Sequence, residues 1–169
     1  MEKIRYIISL FLAKTAVKAI KLRGKSKGTS APGMLAMKIC PSFIREAAKM
    51  NLEKTITVTG TNGKTTTTGL LAHFIKESGK KIIHNTEGAN MLTGIATALV
   101  HNVEFNKKSD YMIFECDEAY LRKLYDFLKA DYLLVTNLFR DQLDRYGELD
   151  TTYKKIKEGT EKNPDMTVF

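Results

Sequence analysis

Thr59-Gly60-Thr61-Asn62-Gly63-Lys64-Thr65-Thr66-Thr67-Thr68 stands between a β-branched run, Thr55-Ile56-Thr57-Val58, and an apolar-periodic one, Leu70-Leu71-Ala72-His73-Phe74-Ile75. A strand, a glycine-bearing turn and a helix start are what a phosphate cradle requires. Two glycines let the backbone approach an anion closely. The unpaired N–H groups of the first helical turn then point at phosphate oxygens, with the helix dipole behind them. Gly60, Thr61, Asn62, Gly63, Lys64, Thr65 and Thr66 are therefore the expected nucleotide-binding residues. In that arrangement Lys64 is a compact charge for the outer phosphates, and the Thr65 hydroxyl suits Mg²⁺. The general phosphate-loop pattern would put its first glycine at position 58, where Val58 stands. The shorter G-T-N-G-K-T form is what this chain carries.

Outward from the loop the chain alternates. Strand Thr55–Thr59 precedes helix 64–78, closed by Gly79, and strand Lys81–His84 precedes helix 89–101. Strand Tyr111–Glu115 precedes helix 118–129, and strand Tyr132–Thr136 precedes a loop and helix 150–162. Thr167-Val168-Phe169 reads as the opening of another strand. This spacing predicts an α/β fold, a parallel sheet with helices on both faces. Ligands of such sheets sit at the carboxyl ends of the strands. Asn85 and Glu87, Glu115 and Asp117, and Asn137 fall at those ends. Glu115 is the first candidate for holding Mg²⁺ opposite the loop and Asp117 the second. The plainer alternative is that Asp117 or Glu118 only caps the following helix. Gly88 permits close approach at the same rim, and Asn90 can orient a phosphate or a metal-bound water. The charged run from Arg140 to Arg145 would by itself read as solvated surface.

Composition sets outer bounds. At 169 residues the prior is one domain, and 43% hydrophobic with 27% charged residues is ordinary for a globular protein. Two distant cysteines, Cys40 and Cys116, argue for a reducing compartment and against a disulfide framework or a zinc site in this segment. The net charge of +8 is uneven: residues 1–54 hold 12 Lys/Arg against 3 Asp/Glu, and residues 55–169 hold 15 against 16. The expected division is therefore a basic helical extension, 1–54, and a near-neutral nucleotide domain, 55–169. No basic patch interleaved with aromatics accompanies the extension, so nucleic acid is not an expected partner. Lys3, Lys14, Lys18, Lys21 and Lys25 share one stripe of a helix, while Ile4, Ile8, Leu12, Ala16, Ala19 and Ile20 occupy other faces. Tyr6 to Ala13 is too short to span a bilayer. Three readings stay open for this helix: packing on its own protein, lying on an anionic membrane surface, or a targeting segment.

The short loop resembles the ATP-binding loop of the Mur ligase superfamily, which includes the folylpolyglutamate synthases. Four stretches narrow the resemblance: G-T-N-G-K-T-T-T, then G-A-N-x-x-x-G, then E-x-D-E-A, then T-N-L-F-R-D-Q-L-D-R-Y-G-E. Together they are similar to the ligase subunits of lipid II isoglutaminyl synthases, the MurT branch of that superfamily, over about residues 20–169. The stretch from Gly24 to Gly33 is rich in breakers and reads by itself as a loop; within it, Gly28-Thr29-Ser30-Ala31-Pro32-Gly33 also looks like that branch's entry to the domain. The resemblance implies a central-domain fold and ATP-dependent amidation of the D-glutamate α-carboxylate of lipid II through an acyl phosphate. Ammonia would come from a separate GatD-type glutaminase. ATP and Mg²⁺ are the implied cofactors, with Lys64 and Glu115 catalytic and Asn90 and Asn137 joining the nucleotide contacts. Thr65, Glu115 and Asp117 are the implied metal side. Gln142 stands where other Mur ligases have a histidine near the metal; an amide can hydrogen-bond there but cannot titrate. The branch's zinc ribbon is not in this segment, and the chain is expected to be an N-terminal fragment. The implied location is cytoplasmic, peripheral at the inner face of the cell membrane. Two other functions stay open: a Mur ligase adding an amino acid to a UDP-linked precursor, and an ATP-binding membrane switch outside the ligases.

Overall fold

Five parallel strands form the sheet: β1 (Asn51–Thr59), β2 (Ile82–His84), β3 (Ser109–Glu115), β4 (Tyr132–Val135) and β5 (Thr167–Val168). Their order is β2-β3-β1-β4-β5, which puts β1 at the centre. The structure, a computed structural model, describes residues 1–22, 30–49, 51–85, 89–104, 107–139 and 148–169. Seven helices join or cover the strands in these residues: α1 (Glu2–Leu22), α2 (Ala31–Ile39), α3 (Phe43–Ala48), α4 (Lys64–Glu77), α5 (Leu92–Asn102), α6 (Glu118–Leu124) and α7 (Glu148–Glu161). The expected α/β class and helix-flanked parallel sheet are what the chain adopts.

The two faces of the sheet are covered unequally. One carries the main core, where Leu10, Phe43, Ile44, Ile95, Leu99, Met112, Phe114, Leu121 and Leu124 are fully buried. The other is thinner: Ile56 and Ile113 meet Ala72 of α4, with Leu71, Ile75 and Tyr132 partly buried around them. Helices α1 to α3 and the turn between α2 and α3 contribute Tyr6, Leu10, Ala13, Ala36, Cys40, Phe43, Ile44 and Ala47 to the main core, so these three helices are integral to it.

Several boundaries differ from the sequence reading. β1 begins at Asn51, four residues earlier than expected, because Asn51 and Lys54 pair with Ser109 and Tyr111 across an irregular register. α5 begins at Leu92 and α6 ends at Leu124, followed by a turn over residues 125–127. Pro32 and Gly33, read as loop breakers, lie inside α2. Pro32 occupies the first turn, where its missing N–H costs nothing. Gly33 is the crossing point with α5: a Cβ there would lie 2.1 Å from Thr93 O and 2.5 Å from Thr97 N. Its N–H donates to Thr97 Oγ1 at 2.9 Å. A glycine that looks like punctuation is here a helix-packing residue.

The strand order places the site. The connection leaving β1 runs to β2 on one side of it, and that leaving β3 runs to β4 on the other. The carboxyl ends around β1 thus border the crevice that such a change of direction opens.

Candidate functional site

The loop after β1 turns on two glycines of positive φ. Gly60 has φ 124° and Gly63 φ 81°, both in the region that side-chain-bearing residues avoid. Gly60 is constrained twice, since a Cβ would lie 2.4 Å from Thr136 Oγ1. Gly63 forms the N-cap of α4, and the first helical bond at that end is Thr67 N–H to Gly63 O, 2.9 Å. The N–H groups ahead of it are left to other partners, and Thr65 and Thr66 are exposed on that turn.

The end of β4 holds the loop in place. Asn137 accepts from Asn62 N–H through Oδ1 at 3.0 Å and donates through Nδ2 to Asn62 O, also at 3.0 Å. Its own carbonyl accepts from Thr61 N–H at 3.0 Å. Thr136 Oγ1 donates to Asn62 O at 2.6 Å, and Thr61 Oγ1 accepts from Phe139 N–H at 3.1 Å. Asn137 is therefore a clamp on the loop, with both ends of its amide engaged.

Lys64 folds back over this frame. Its ammonium donates to the carbonyls of Gly60 and Thr61, the latter at 3.1 Å, and lies 3.9 Å from Glu118 Oε2. That carboxylate oxygen is buried and has no hydrogen-bond partner among the described residues. Sequence reading treated Glu118 only as a helix-capping residue and so missed it as the partner of the loop lysine. Its place in E-x-D-E-A, at the first turn of the helix leaving β3, was the available signal.

Glu115 is buried at the end of β3, beside Val58 of β1. Asn85 sets it there: its Oδ1 accepts from Glu115 N–H at 2.8 Å, and its Nδ2 donates to Glu115 O at 2.7 Å and Ala89 O at 2.8 Å. Asp117 is the N-cap of α6, accepting from Ala119 N–H at 2.9 Å through Oδ1. The capping alternative thus holds for that oxygen. Asn90 sits beside it, its carbonyl accepting from Asp117 N–H at 3.0 Å. The acidic cluster also acts on Cys116. Burial first, then the charges of Asp117, Glu118 and Glu115, drive its thiol pKa far up, while Lys64 pulls it back. Glu87, Gly88 and Gln142 lie outside the described residues.

The structure thus brings Gly60, Thr61, Asn62, Gly63, Lys64, Thr65, Asn137 and the acids of the β3 end to one rim. A glycine-shaped anion cradle, one lysine, the buried Glu115 and the half-buried Glu118 can hold a polyphosphate and its cation. No group of three or more His, Cys, Asp or Glu side chains among the described residues could hold a metal by itself. Mg²⁺ keeps waters and takes one or two carboxylates together with substrate phosphates. Glu115 and the orphan oxygen of Glu118 are donors of the right chemistry, and Thr65 is exposed on the loop side.

Comparison with known proteins bears on the family and the fold. Residues 58–163 match the family described as Mur ligase middle domain. The chain is 37% identical over 150 residues to the MurT subunit of the lipid II isoglutaminyl synthase (glutamine-hydrolyzing) of Staphylococcus aureus strain COL, covering 89% of this chain and 33% of that protein. It is 39% identical over 143 residues to the corresponding subunit of Streptococcus pneumoniae R6, covering 85% and 32%. The chain thus spans about a third of the length of these curated relatives. Among solved structures, the MurF ligase of Thermotoga maritima in complex with ADP superposes with a TM-score of 0.60 at 18% identity, covering 76% of this chain and 30% of that one.

Proposed function

The chain belongs to the Mur ligase family, through its middle domain, and from that premise we propose that it is the nucleotide-binding part of an amide-forming ligase acting on lipid II. The observation that carries this reading is the loop clamped by Asn137, with Lys64 set against Glu118 over the crevice beside β1. The 37–39% identity to MurT subunits supports amidation over amino-acid addition to a UDP-linked precursor.

In this reading ATP is the phosphoryl donor and the α-carboxylate of a D-glutamate in lipid II is the acceptor. The carboxylate oxygen takes the γ-phosphoryl group, and ADP leaves. Ammonia then displaces phosphate at the acyl carbon, giving the amide. A GatD-type glutaminase supplies the ammonia. Phosphoryl transfer depends mainly on positioning and charge neutralisation. Free N–H groups at the start of α4 hold the phosphates. Lys64 leaves the carbonyls of Gly60 and Thr61 for the outer phosphate oxygens, and Glu118 keeps the ammonium aimed into the crevice. Asn137 holds Thr61 and Asn62 rigid, so that the cradle needs no reorganisation at the moment of transfer. Mg²⁺, when bound, would neutralise developing charge; Thr65 and Glu115 would hold it, with Asp117 the further candidate. An acceptor carried on a lipid places this work at the inner face of the cell membrane, with the protein as a peripheral cytoplasmic component.

A hybrid tests the proposal. Residues 1–169 would replace the matching third of a MurT relative, and the hybrid would be assayed with glutaminase, glutamine, ATP and lipid II. Amidated lipid II is expected, and its loss in the Lys64→Ala hybrid. A hybrid that folds and binds nucleotide but forms no amide would contradict the amide reading.

A further inference from the structure

Helix α1 turns one side to the core and leaves another uncovered. Tyr6, Ser9, Leu10 and Ala13 are buried, and Ser9 donates to Ala36 O at 2.8 Å. On the opposite side Ile4 is 64% exposed, Phe11 63%, Ile8 49%, Leu12 43% and Ile7 42%. At about 100° per residue these five fall within roughly 140° of one helix face. An apolar face of that size on a surface helix marks an interaction site. Lys3 and Lys14 flank it on one side, Lys18 lies within it and Arg5 borders the other.

The neighbouring surface carries more of the same charge. A cavity of about 460 Å³ opens at the amino ends of β2 and β3, away from the nucleotide rim, and Lys76, Lys81, Lys108 and Ser109 help line it. Lys80 and Lys107 also line it, but are paired with Glu53 and Glu104. Lys76, Lys81 and Lys108 make no ion pair among the described residues. Ser109 is 5% exposed, and its hydroxyl has no partner there. Glu104, on the rim, is close enough to Lys14 for each charge to shift the other's titration, so the cavity adjoins the lysine side of α1.

We propose that α1 is the membrane-docking element, laying Ile4, Ile7, Ile8, Phe11 and Leu12 into an anionic bilayer surface while its lysines and the adjoining cavity meet lipid headgroup phosphates. This deepens, and rests on, the membrane-side position proposed above. Charge complementarity selects the occupant. A protein partner for this face would have to match an apolar stripe with a lysine inside it and cations on both flanks. A bilayer interface does so without special design, since apolar side chains enter the acyl boundary while lysine stems reach headgroups. No helix among the described residues is long and apolar enough to cross a membrane, so α1 would lie on the surface.

The test is co-sedimentation of the chain with phosphatidylcholine vesicles and with vesicles containing phosphatidylglycerol, at low and high salt. Nucleotide affinity of each variant is measured alongside, to show that it is folded. Binding only to the anionic vesicles, weakened by salt, is expected. The I7D/F11D variant should lose at least about tenfold in affinity, and Lys3→Gln/Lys18→Gln roughly fivefold per lysine. Anionic binding that I7D/F11D leaves unchanged would overturn the role of α1 while sparing the peripheral position. No binding to either vesicle would overturn both. A dimer that I7D/F11D dissociates, without vesicle binding, would assign the face to a second copy and overturn the proposal.

Discussion

At the scale of single residues, the account turns on a few polar atoms whose partners lie far away in sequence. Lys64 bridges two loop carbonyls and Glu118. Lys64→Ala is expected to lower nucleotide affinity by about tenfold to a hundredfold, the range of a charge-assisted hydrogen bond. Folding stability should stay within about 1 kcal/mol of the parent, by urea titration. Glu115→Ala should raise the Mg²⁺ concentration needed for nucleotide binding; an unaltered metal titration would shift that role to Asp117. Asn137→Ala removes both amide hydrogen bonds to Asn62. About 1–3 kcal/mol of stability should go with them, and nucleotide affinity should fall through a loosened loop. Cys116 is buried and its thiol pKa is driven far up. Native protein should leave it unmodified by a thiol reagent at neutral pH, with labelling appearing only on denaturation.

At the scale of elements, α1 and α2 show how packing redirects local signals. Tyr6 stacks near Phe43, ring centroids 5.3 Å apart, but its hydroxyl is buried without a partner among the described residues. Burial, then Glu46 and Cys40, push its pKa up to about 12. The neutral form is thus favoured in the fold, so this contribution is whole below pH 10 and is lost as pH rises toward 12. Tyr6→Phe should be neutral or stabilising by up to about 1 kcal/mol and should flatten that alkaline decline in urea midpoints. Gly33→Ala would press a Cβ into the α5 backbone and should cost about 1–3 kcal/mol. The strands were legible because β-branched runs ending in glycine or acid mark buried parallel strands whatever packs on them. The phosphate loop was legible because its chemistry is local. Pro32 and Gly33 were misread because the same residues start a helix or stop one, and only contact with α5 decides. Neither the clamp by Asn137 nor the pairing of Lys64 with Glu118 was legible, since the first forms only when the ends of β1 and β4 meet and the second only when those of β1 and β3 do. The side of α1 facing the core was equally hidden, because several of its faces are apolar.

At the scale of the whole molecule, the site and the proposed membrane face are at different places on one α/β unit. The nucleotide rim lies at the carboxyl ends of the strands around β1, and the basic cavity lies at the amino ends of β2 and β3. The excess of Lys and Arg lies in residues 1–54, which include α1, and the cavity adds lysines from the β2 and β3 side. A ligase working on a lipid-linked acceptor can use that polarity to dock through one surface while the rim stays accessible. Helices α1 to α3 contribute to the core, so their removal is expected to destabilise the domain rather than release an accessory. For that reason point substitutions on exposed positions of α1 are the suitable probe. The central claim, that this rim is a Mur ligase nucleotide site, is tested most directly by titration calorimetry of ATP with Mg²⁺ into the chain. One binding site is predicted, abolished or strongly weakened by Lys64→Ala. No binding by the folded parent, or equal binding by the Lys64→Ala variant, would contradict it.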